Sequence, residues 1–221
     1  EHMKPKMSIM DPEYTYSVSK KQTAAGTADM ISHIFENYFT NVSNADVQAR
    51  FAEGLLKNCF YYGPVALEHP DDYDARANLM WTSSMAINGI LSDGAEVAWC
   101  VHPMEHELSA FYDITHGEGL AILTPHWMEF ALNEATAKKF ADYGRNVWNL
   151  PMAEDDMETA RKAINCTKEF FKDMGLPSTL REVGIDETYF DVMAEKAAAG
   201  CKGSYVELTK EDIVHIYENA L

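Results

Sequence analysis

Apolar residues recur every three or four positions over most of the chain, and this spacing predicts a helical protein. The first such stretch begins near Lys20, where Ala24, Ile31 and Phe35 fall on one face of a helix. No stretch sustains the strict alternation of apolar and polar residues that marks a half-buried β-strand. We therefore predict an all-α, multi-helix bundle without internal repeats or low-complexity linkers.

Capping residues, glycines and prolines divide the chain into separate helices. Residues 5–18 carry two prolines and predict an extended lead-in. A second helix begins after Ser43 or Asn44 and ends near Tyr62 at Gly63-Pro64, and Pro125 can kink a later one. The other predicted helices are Tyr73 to about Leu91 after Asp71 or Asp72, Val97 to Tyr112, one from Gly117, Thr136–Trp148, Glu154–Met174, Asp186–Ala199 and Thr209–Ala220.

Acidic and imidazole side chains occur in pairs at helical spacing. Asp29 and His33 are four residues apart, and so are His102 and His106. Each pair therefore lies on one helix face, with Cβ atoms about 5–6 Å apart. His116 follows after a short break. Any four of these five side chains would offer a divalent transition metal, Fe(II) or Zn(II), oxygen and nitrogen ligands. The prediction depends on a fold that brings the two segments together.

The same residues also admit a purely structural interpretation, because Asp–His pairs occur on ordinary surface helices. Apolar neighbours favour the metal site, since imidazoles at the edge of a core need partners. Of the other histidines, His69 and His215 are expected to be solvated or singly hydrogen-bonded, and His126 is a candidate for lining a cleft. The four tryptophans are expected to pack in the core or an interface, with Trp127 able to wall the site.

Composition narrows the function classes. The formal net charge of −17 argues against nucleic acid and anionic membranes as partners, because both attract basic surfaces. No apolar run reaches membrane-spanning length, and no signal-peptide core is recognisable near the start. The four cysteines form no C-x-x-C pair, which favours reduced thiols and a cytoplasmic location: Cys59, Cys100, Cys166 and Cys201.

Longer stretches of the sequence resemble the iron-containing (group III) alcohol dehydrogenases, specifically their NADPH-dependent butanol dehydrogenase-like branch. The resemblance begins at Asp-Pro-Glu-Tyr-Thr-Tyr and includes the segment that ends in Asp-Met-Ile-Ser-His. It covers the chain from about residue 8. The segments that carry it are 10–16, 22–33, 36–38, 50–56, 74–81 and 102–125.

The resemblance implies the fold of the C-terminal domain of the iron-containing alcohol dehydrogenases and dehydroquinate synthases. It implies four metal ligands, Asp29, His33, His102 and His116. His106 would be the non-ligand histidine that faces the nicotinamide and substrate and relays a proton. The implied cofactors are Fe(II) or Zn(II) and, in the full-length enzyme, NADP(H). The implied substrate is a small alcohol or aldehyde, and the full-length protein is expected to be a homo-oligomer, a dimer.

The expected organisation follows from the same resemblance. Residues 1–7, which begin Glu1-His2-Met3, are expected to be a cloning remnant or lead-in. Residues 8–221 form the helical metal-binding catalytic domain, with metal-carrying helices in 8–153 and C-terminal helices in 154–221. The family's N-terminal nucleotide-binding domain is absent from the sequence, so the chain alone is expected to be inactive.

Two rival functions remain open on the sequence alone. A helical metallohydrolase would use a hydroxide nucleophile and would require further carboxylates, for which Glu105 and Glu107 are available. A non-catalytic helical interaction module would bury its histidines as core residues and retain no stoichiometric metal.

Overall fold

The computed structural model describes residues 5–95, 97–152 and 155–221, and these residues form nine α-helices and no strand. The prediction of an all-α fold is thus confirmed. None of the described helices is both long and apolar enough to cross a membrane. The helices are α1 Lys20–Tyr38, α2 Asp46–Glu68, α3 Tyr73–Ile87, α4 Val101–Tyr112, α5 His116–Ala131, α6 Ala137–Trp148, α7 Asp156–Asp173, α8 Phe190–Gly200 and α9 Lys210–Asn219.

Helix α1 lies at the centre of the fold and packs against α2, α3, α4 and α5. Helix α5 carries an apolar surface that is buried from Leu120 to Leu123. Helices α6 and α7 pack together on one side, and α8 packs between α4 and α9. One continuous cluster of buried apolar side chains runs from Ala24 to Ala220. The helices that carry the paired acidic and imidazole residues are therefore held by a shared core.

Several predicted helix starts coincide with side-chain caps. Ser19 accepts a hydrogen bond from the Gln22 backbone N–H, and Asp72 accepts one from the Ala75 N–H at 2.8 Å. Thr209 and Asp212 form a reciprocal capping box at the start of α9. Each cap satisfies backbone donors that have no partner inside the helix, which is why the sequence signals these starts.

The predicted end of the second helix at Gly63-Pro64 is wrong, because α2 continues through both residues to Glu68. A Cβ atom at Gly63 would lie 2.8 Å from Cγ2 of Thr27 in α1. The glycine therefore permits close packing of two helices and does not terminate one. The next residue, Pro64, has no backbone N–H and so removes a single hydrogen-bond donor from the helix interior.

Other boundaries also differ from the prediction. Helix α3 ends at Ile87, before Gly89 adopts a φ of +92°. Residues 5–18 are not wholly extended, since Pro12–Thr15 form a 3-10 turn. The predicted helix from Asp186 divides into a 3-10 turn at Glu187–Tyr189 and α8. For α7, the predicted first residue, Glu154, lies outside the described residues.

Candidate metal centre

Three helices bring the predicted site residues together. Helix α1 carries Asp29 and His33, α4 carries His102 and His106, and α5 begins at His116. Asp29 and His33 are one helical turn apart on one face of α1, and α1 packs against both α4 and α5. The two sequence segments that seemed separate along the chain thus meet at one point of the fold.

One carboxylate oxygen lies at the centre of this meeting point. Oδ1 of Asp29 is 3.4 Å from Nε2 of His33, 3.6 Å from Nε2 of His102 and 3.5 Å from Nε2 of His116. Single ligand atoms of Asp29, His102 and His116 all lie within 4.8 Å of one another. Among the described residues His33 is not part of this group of three, but its Nε2 is close to Asp29 and its ring centroid is 4.4 Å from that of His102.

These distances fit a bound cation. Ligand atoms that surround a tetrahedral Zn(II) at about 2.1 Å stand about 3.4 Å from one another. Oδ1 of Asp29 and Nε2 of His102 are both buried, and neither makes a hydrogen bond to the described residues. Buried polar atoms in folded proteins almost always have a partner. A divalent cation among these atoms would supply it, and the mixed oxygen and nitrogen set suits Fe(II) or Zn(II).

Two buried carboxylates contact two of the imidazole rings at Nδ1, whereas Nε2 of each ring faces Asp29. Oε1 of Glu36 lies 3.2 Å from Nδ1 of His102, and the carboxylate of Glu105 is hydrogen-bonded to Nδ1 of His116. Glu36 is 4% exposed and Glu105 is fully buried. When Nδ1–H donates to a carboxylate, the lone pair of Nε2 is left free to face a metal. Sequence reasoning did not assign this role to either glutamate.

Glycines at the start of α5 allow this close arrangement. A Cβ atom at Gly117 would lie 2.0 Å from the backbone oxygen of Ala25, so α5 begins in direct backbone contact with α1. A Cβ atom at Gly119 would lie 2.7 Å from Cγ of Glu105. The first glycine brings His116 close to α1, and the second makes room for the glutamate that holds His116.

The cluster attracts positive charge. Burial opposes ionisation of Asp29, but the neighbouring imidazoles of His102 and His116 outweigh it and hold the pKa of this carboxyl well below its usual range. Asp29 and Glu105 together raise the pKa of His116 to about 10. Burial lowers the pKa of His102, but Asp29 and Glu36 more than offset it, so this pKa is raised. Positive charge at this point is stabilised by three carboxylates, whether a proton or a cation carries it.

His106 lies beside the cluster and not within it. Its exposed ring stacks on His116, with 5.5 Å between ring centroids and 25° between ring planes. One atom each of Glu105, His106 and His116 also lie within 4.8 Å of one another. This second group shares His116 with the first, so within the described residues it does not form a separate site.

The remaining predicted residues lie elsewhere. His126 is ten positions after His116 on α5, about 15 Å along the helix axis, and its Nδ1 lies 3.7 Å from a carboxylate oxygen of Glu129. His215 makes a hydrogen bond with Asn219 at the surface, as expected. Trp127 is buried against Phe39.

Trp99 is the tryptophan that packs against the imidazoles. Its ring centroid lies 4.9 Å from that of His33 and 4.8 Å from that of His102. Sequence reasoning had assigned it to general packing. Its position next to the His102 segment was the one available signal that it contacts the site.

Comparison with known proteins agrees with the family resemblance found in the sequence. Residues 23–221 match the model of the Fe-containing alcohol dehydrogenase family, C-terminal. NADH-dependent butanol dehydrogenase A of Clostridium acetobutylicum is 53% identical over 223 residues, covering 100% of this chain and 57% of the relative. NADPH-dependent aldehyde reductase YqhD of Escherichia coli is 36% identical over 196 residues, covering 88% of this chain and 50% of the relative. The chain therefore spans little more than half the length of these relatives.

Solved structures show the same relationship. The crystal structure of E. coli K-12 YqhD superposes with a TM-score of 0.91 at 32% identity, covering 100% of this chain and 57% of that one. NADH-dependent butanol dehydrogenase A from Thermotoga maritima superposes with a TM-score of 0.88 at 34% identity, covering 98% and 56%. The resemblance to the iron-containing alcohol dehydrogenases is confirmed, and the chain belongs to the Fe-containing alcohol dehydrogenase family, as its C-terminal, all-helical part.

Proposed function

We propose that Asp29, His33, His102 and His116 bind one divalent cation, Fe(II) or Zn(II), in the catalytic domain of an NAD(P)H-dependent alcohol dehydrogenase or aldehyde reductase of the butanol dehydrogenase type. The observation that carries this proposal is the environment of Oδ1 of Asp29. It lies within 3.4–3.6 Å of three imidazole nitrogens and makes no hydrogen bond to the described residues. The names of the butanol dehydrogenase and aldehyde reductase relatives support the reaction type.

The bound cation supplies Lewis acidity at an alcohol or carbonyl oxygen, and the nicotinamide cofactor supplies the hydride chemistry. This chain's residues prepare the site for both. Asp29 is the one anionic side chain among the four ligands, so with neutral imidazoles the cation and its four ligands would together carry a net positive charge, which favours an anionic oxygen. Glu36 and Glu105 keep Nδ1 of two imidazoles occupied and their Nε2 atoms free.

His106 is proposed to move the proton. Its ring is exposed and stacks on His116, so it stands next to the cation site without entering it. Histidine is the side chain best suited to exchange protons near neutral pH. In this position it can give a proton to the oxygen of a reduced aldehyde or take one from an alcohol.

The choice between NADPH and NADH as coenzyme is proposed separately from the reaction type. The branch resemblance predicts NADPH, and the aldehyde reductase that is 36% identical is named NADPH-dependent. Two C. acetobutylicum butanol dehydrogenases, 53% and 52% identical, are named NADH-dependent. We keep NADPH as the prediction, and its test is the ratio of kcat/KM with NADPH to that with NADH. The whole protein is further proposed to act on small alcohols or aldehydes as a homodimer.

The rival metallohydrolase has less support from the geometry. Glu105, which could have served a second metal, is instead bonded to His116 and to the hydroxyl of Ser109 at 2.6 Å. Glu107 pairs with Lys196 at 3.7 Å. Both carboxylates that the rival requires thus have other partners.

The test of the metal centre is metal content after exhaustive dialysis. We expect the chain to retain stoichiometric iron or zinc, and Asp29→Ala to lose most of it because three imidazoles then lack the central oxygen. Matched dialysis of Asp142→Ala, a surface carboxylate paired with Lys138, should leave metal content unchanged. A wild-type chain that retains no transition metal would overturn the proposal in favour of the non-catalytic module.

Turnover is tested separately in the whole protein. We further propose that the whole protein carries a nucleotide-binding domain, and we expect it to oxidise NADPH with butanal. The 221-residue chain is expected not to do so, because the relatives extend well beyond the part that it matches. Steady-state assays of both forms at equal metal content decide the question, and equal turnover would refute the dependence on a second domain.

A further inference from the structure

Glu36 makes an unusual set of hydrogen bonds for a side chain outside the metal cluster. It lies on α1, three residues after His33, and is 4% exposed. Oε1 accepts the backbone N–H of His102 at 3.0 Å, and Oε2 accepts that of Cys100 at 3.0 Å. The thiol of Cys100 also donates to Oε2 at 3.8 Å. One buried carboxylate on α1 thus accepts hydrogen bonds from the residues at the start of α4.

These bonds replace a cap that α4 does not supply for itself. The residue at its N-cap position is Cys100, which makes no side-chain cap hydrogen bond within the described part of the chain. Backbone N–H groups at a helix start have no partner inside the helix, and a carboxylate there is also stabilised by the helix dipole. Glu36 therefore fixes where α4 begins relative to α1.

The same carboxylate also holds the imidazole of His102. Oε1, which accepts the His102 backbone N–H, lies 3.2 Å from Nδ1 of the same residue. A proton on Nδ1 leaves Nε2 bare, and this atom is buried, without a hydrogen bond to the described residues, 3.6 Å from Oδ1 of Asp29. Backbone position and ring orientation of one ligand are therefore set by a single oxygen atom.

We propose that Glu36 is a positioning residue that couples the start of α4 to the orientation and tautomer of His102, and thereby sets metal affinity without touching the metal. The inference rests on the proposed metal centre. Glutamine at this position would keep the length but offer one oxygen in place of two, and its amide N–H would face the donors of Cys100 or His102. We expect Glu36→Gln to weaken Zn(II) binding about 10–100-fold.

Glu53 provides a matched control. It is also a buried glutamate, 5% exposed, and it accepts hydrogen bonds from Arg50 at 2.6 Å, Tyr38 at 3.0 Å and Asn146 at 2.9 Å. Within the described part of the chain it has no bond to any proposed ligand. Glu53→Gln should therefore lower the melting temperature of the metal-free protein while leaving Zn(II) affinity within about twofold of wild type.

The experiment measures Zn(II) dissociation constants of wild type, Glu36→Gln and Glu53→Gln by competition with a chromophoric chelator. Melting temperatures of the metal-free proteins are measured in parallel. A large affinity loss only in Glu36→Gln supports the proposal. If wild type binds Zn(II) and both variants bind it as tightly as wild type does, Glu36 is merely a helix cap and the inference is overturned. If wild type binds no Zn(II), the metal centre itself falls.

A second measurement needs no variant and remains decisive if Glu36→Gln fails to fold. In the Zn(II)-loaded wild-type chain, nitrogen-15 NMR of the histidine rings should show a His102 Nδ1–H that exchanges slowly with water. Its nitrogen shifts should identify Nε2 as the metal-bound atom. Coordination through Nδ1, or an Nδ1–H that exchanges as fast as that of exposed His215, would contradict a positioning role for Glu36.

Discussion

At the scale of single residues, His106 and His116 show how neighbouring imidazoles acquire different roles. Nε2 of His116 lies 3.5 Å from Oδ1 of Asp29, and its other nitrogen is held by Glu105. His106 has neither partner and stacks on the ring of His116. The geometry thus favours His116 as a ligand and His106 as the proton carrier.

This difference predicts opposite metal phenotypes. His116→Ala should abolish metal retention, because it removes a nitrogen from the cluster and leaves the buried Glu105 carboxylate without its imidazole partner. His106→Ala should keep the metal and, in the full-length enzyme, lower kcat. Metal content by elemental analysis after dialysis, with helix content as the folding control, separates the two. Comparable metal loss in both variants would mean that the relay is itself a ligand.

Part of this site could be predicted from the sequence, because helical spacing alone pairs Asp29 with His33 and His102 with His106. Spacing left five candidates for four positions, and the family resemblance made the choice. The supporting glutamates could not be predicted in this way, since Glu36 is 66 residues from the ring that it holds. Its one local signal is its place three residues after His33, on the same side of α1.

At the scale of elements, the sequence located helices better than it located their ends. Helices with a local side-chain cap, such as α3 after Asp72 and α9 after Thr209, begin where predicted. Helix α4 was predicted to start near Val97 but starts at Val101, because its cap comes from Glu36 on a distant helix. Local patterns cannot reveal a boundary that tertiary packing sets.

The junction of α1 and α5 gives a prediction at this scale. Gly117→Ala should lower the free energy of unfolding by about 1–3 kcal/mol, because the new Cβ would overlap backbone atoms that cannot move as a flexible side chain can. The obstructing atom is the backbone oxygen of Ala25, which would lie 2.0 Å from that Cβ. Metal affinity should fall as well, since the helices that carry Asp29 and His116 must separate.

Gly54 in α2 is the control for this prediction. It is exposed, and a Cβ there would meet no atom of the described residues within 4 Å. Gly54→Ala should therefore raise stability by up to about 1 kcal/mol through its better helix propensity. Urea denaturation of both variants measures the difference, and a Gly117→Ala protein as stable as wild type would show that the two helices are not held at backbone contact.

At the scale of the whole molecule, the four proposed ligands join α1 to α4 and α5, two consecutive helices that lie far from α1 along the chain. Asp29 lies in the first helix, whereas His116 begins the fifth. The chain also carries a formal net charge of −17, and self-repulsion of this size disfavours the compact state. A cation at the convergence of α1, α4 and α5 would offset part of that repulsion where three carboxylates cluster.

Removal of the metal is therefore expected to destabilise the entire fold. A ligand that binds only the folded state at a hundred times its dissociation constant adds about 2.7 kcal/mol. For a chain of this size, each kcal/mol corresponds to about 2–4 °C, so a chelator should lower the melting temperature by about 5–10 °C. Zinc should restore it. In Asp29→Ala the chelator should have no effect, because the site that it empties no longer holds a cation. If neither chelator nor zinc changes the melting temperature of the wild-type chain, these helices are held together by their apolar core alone.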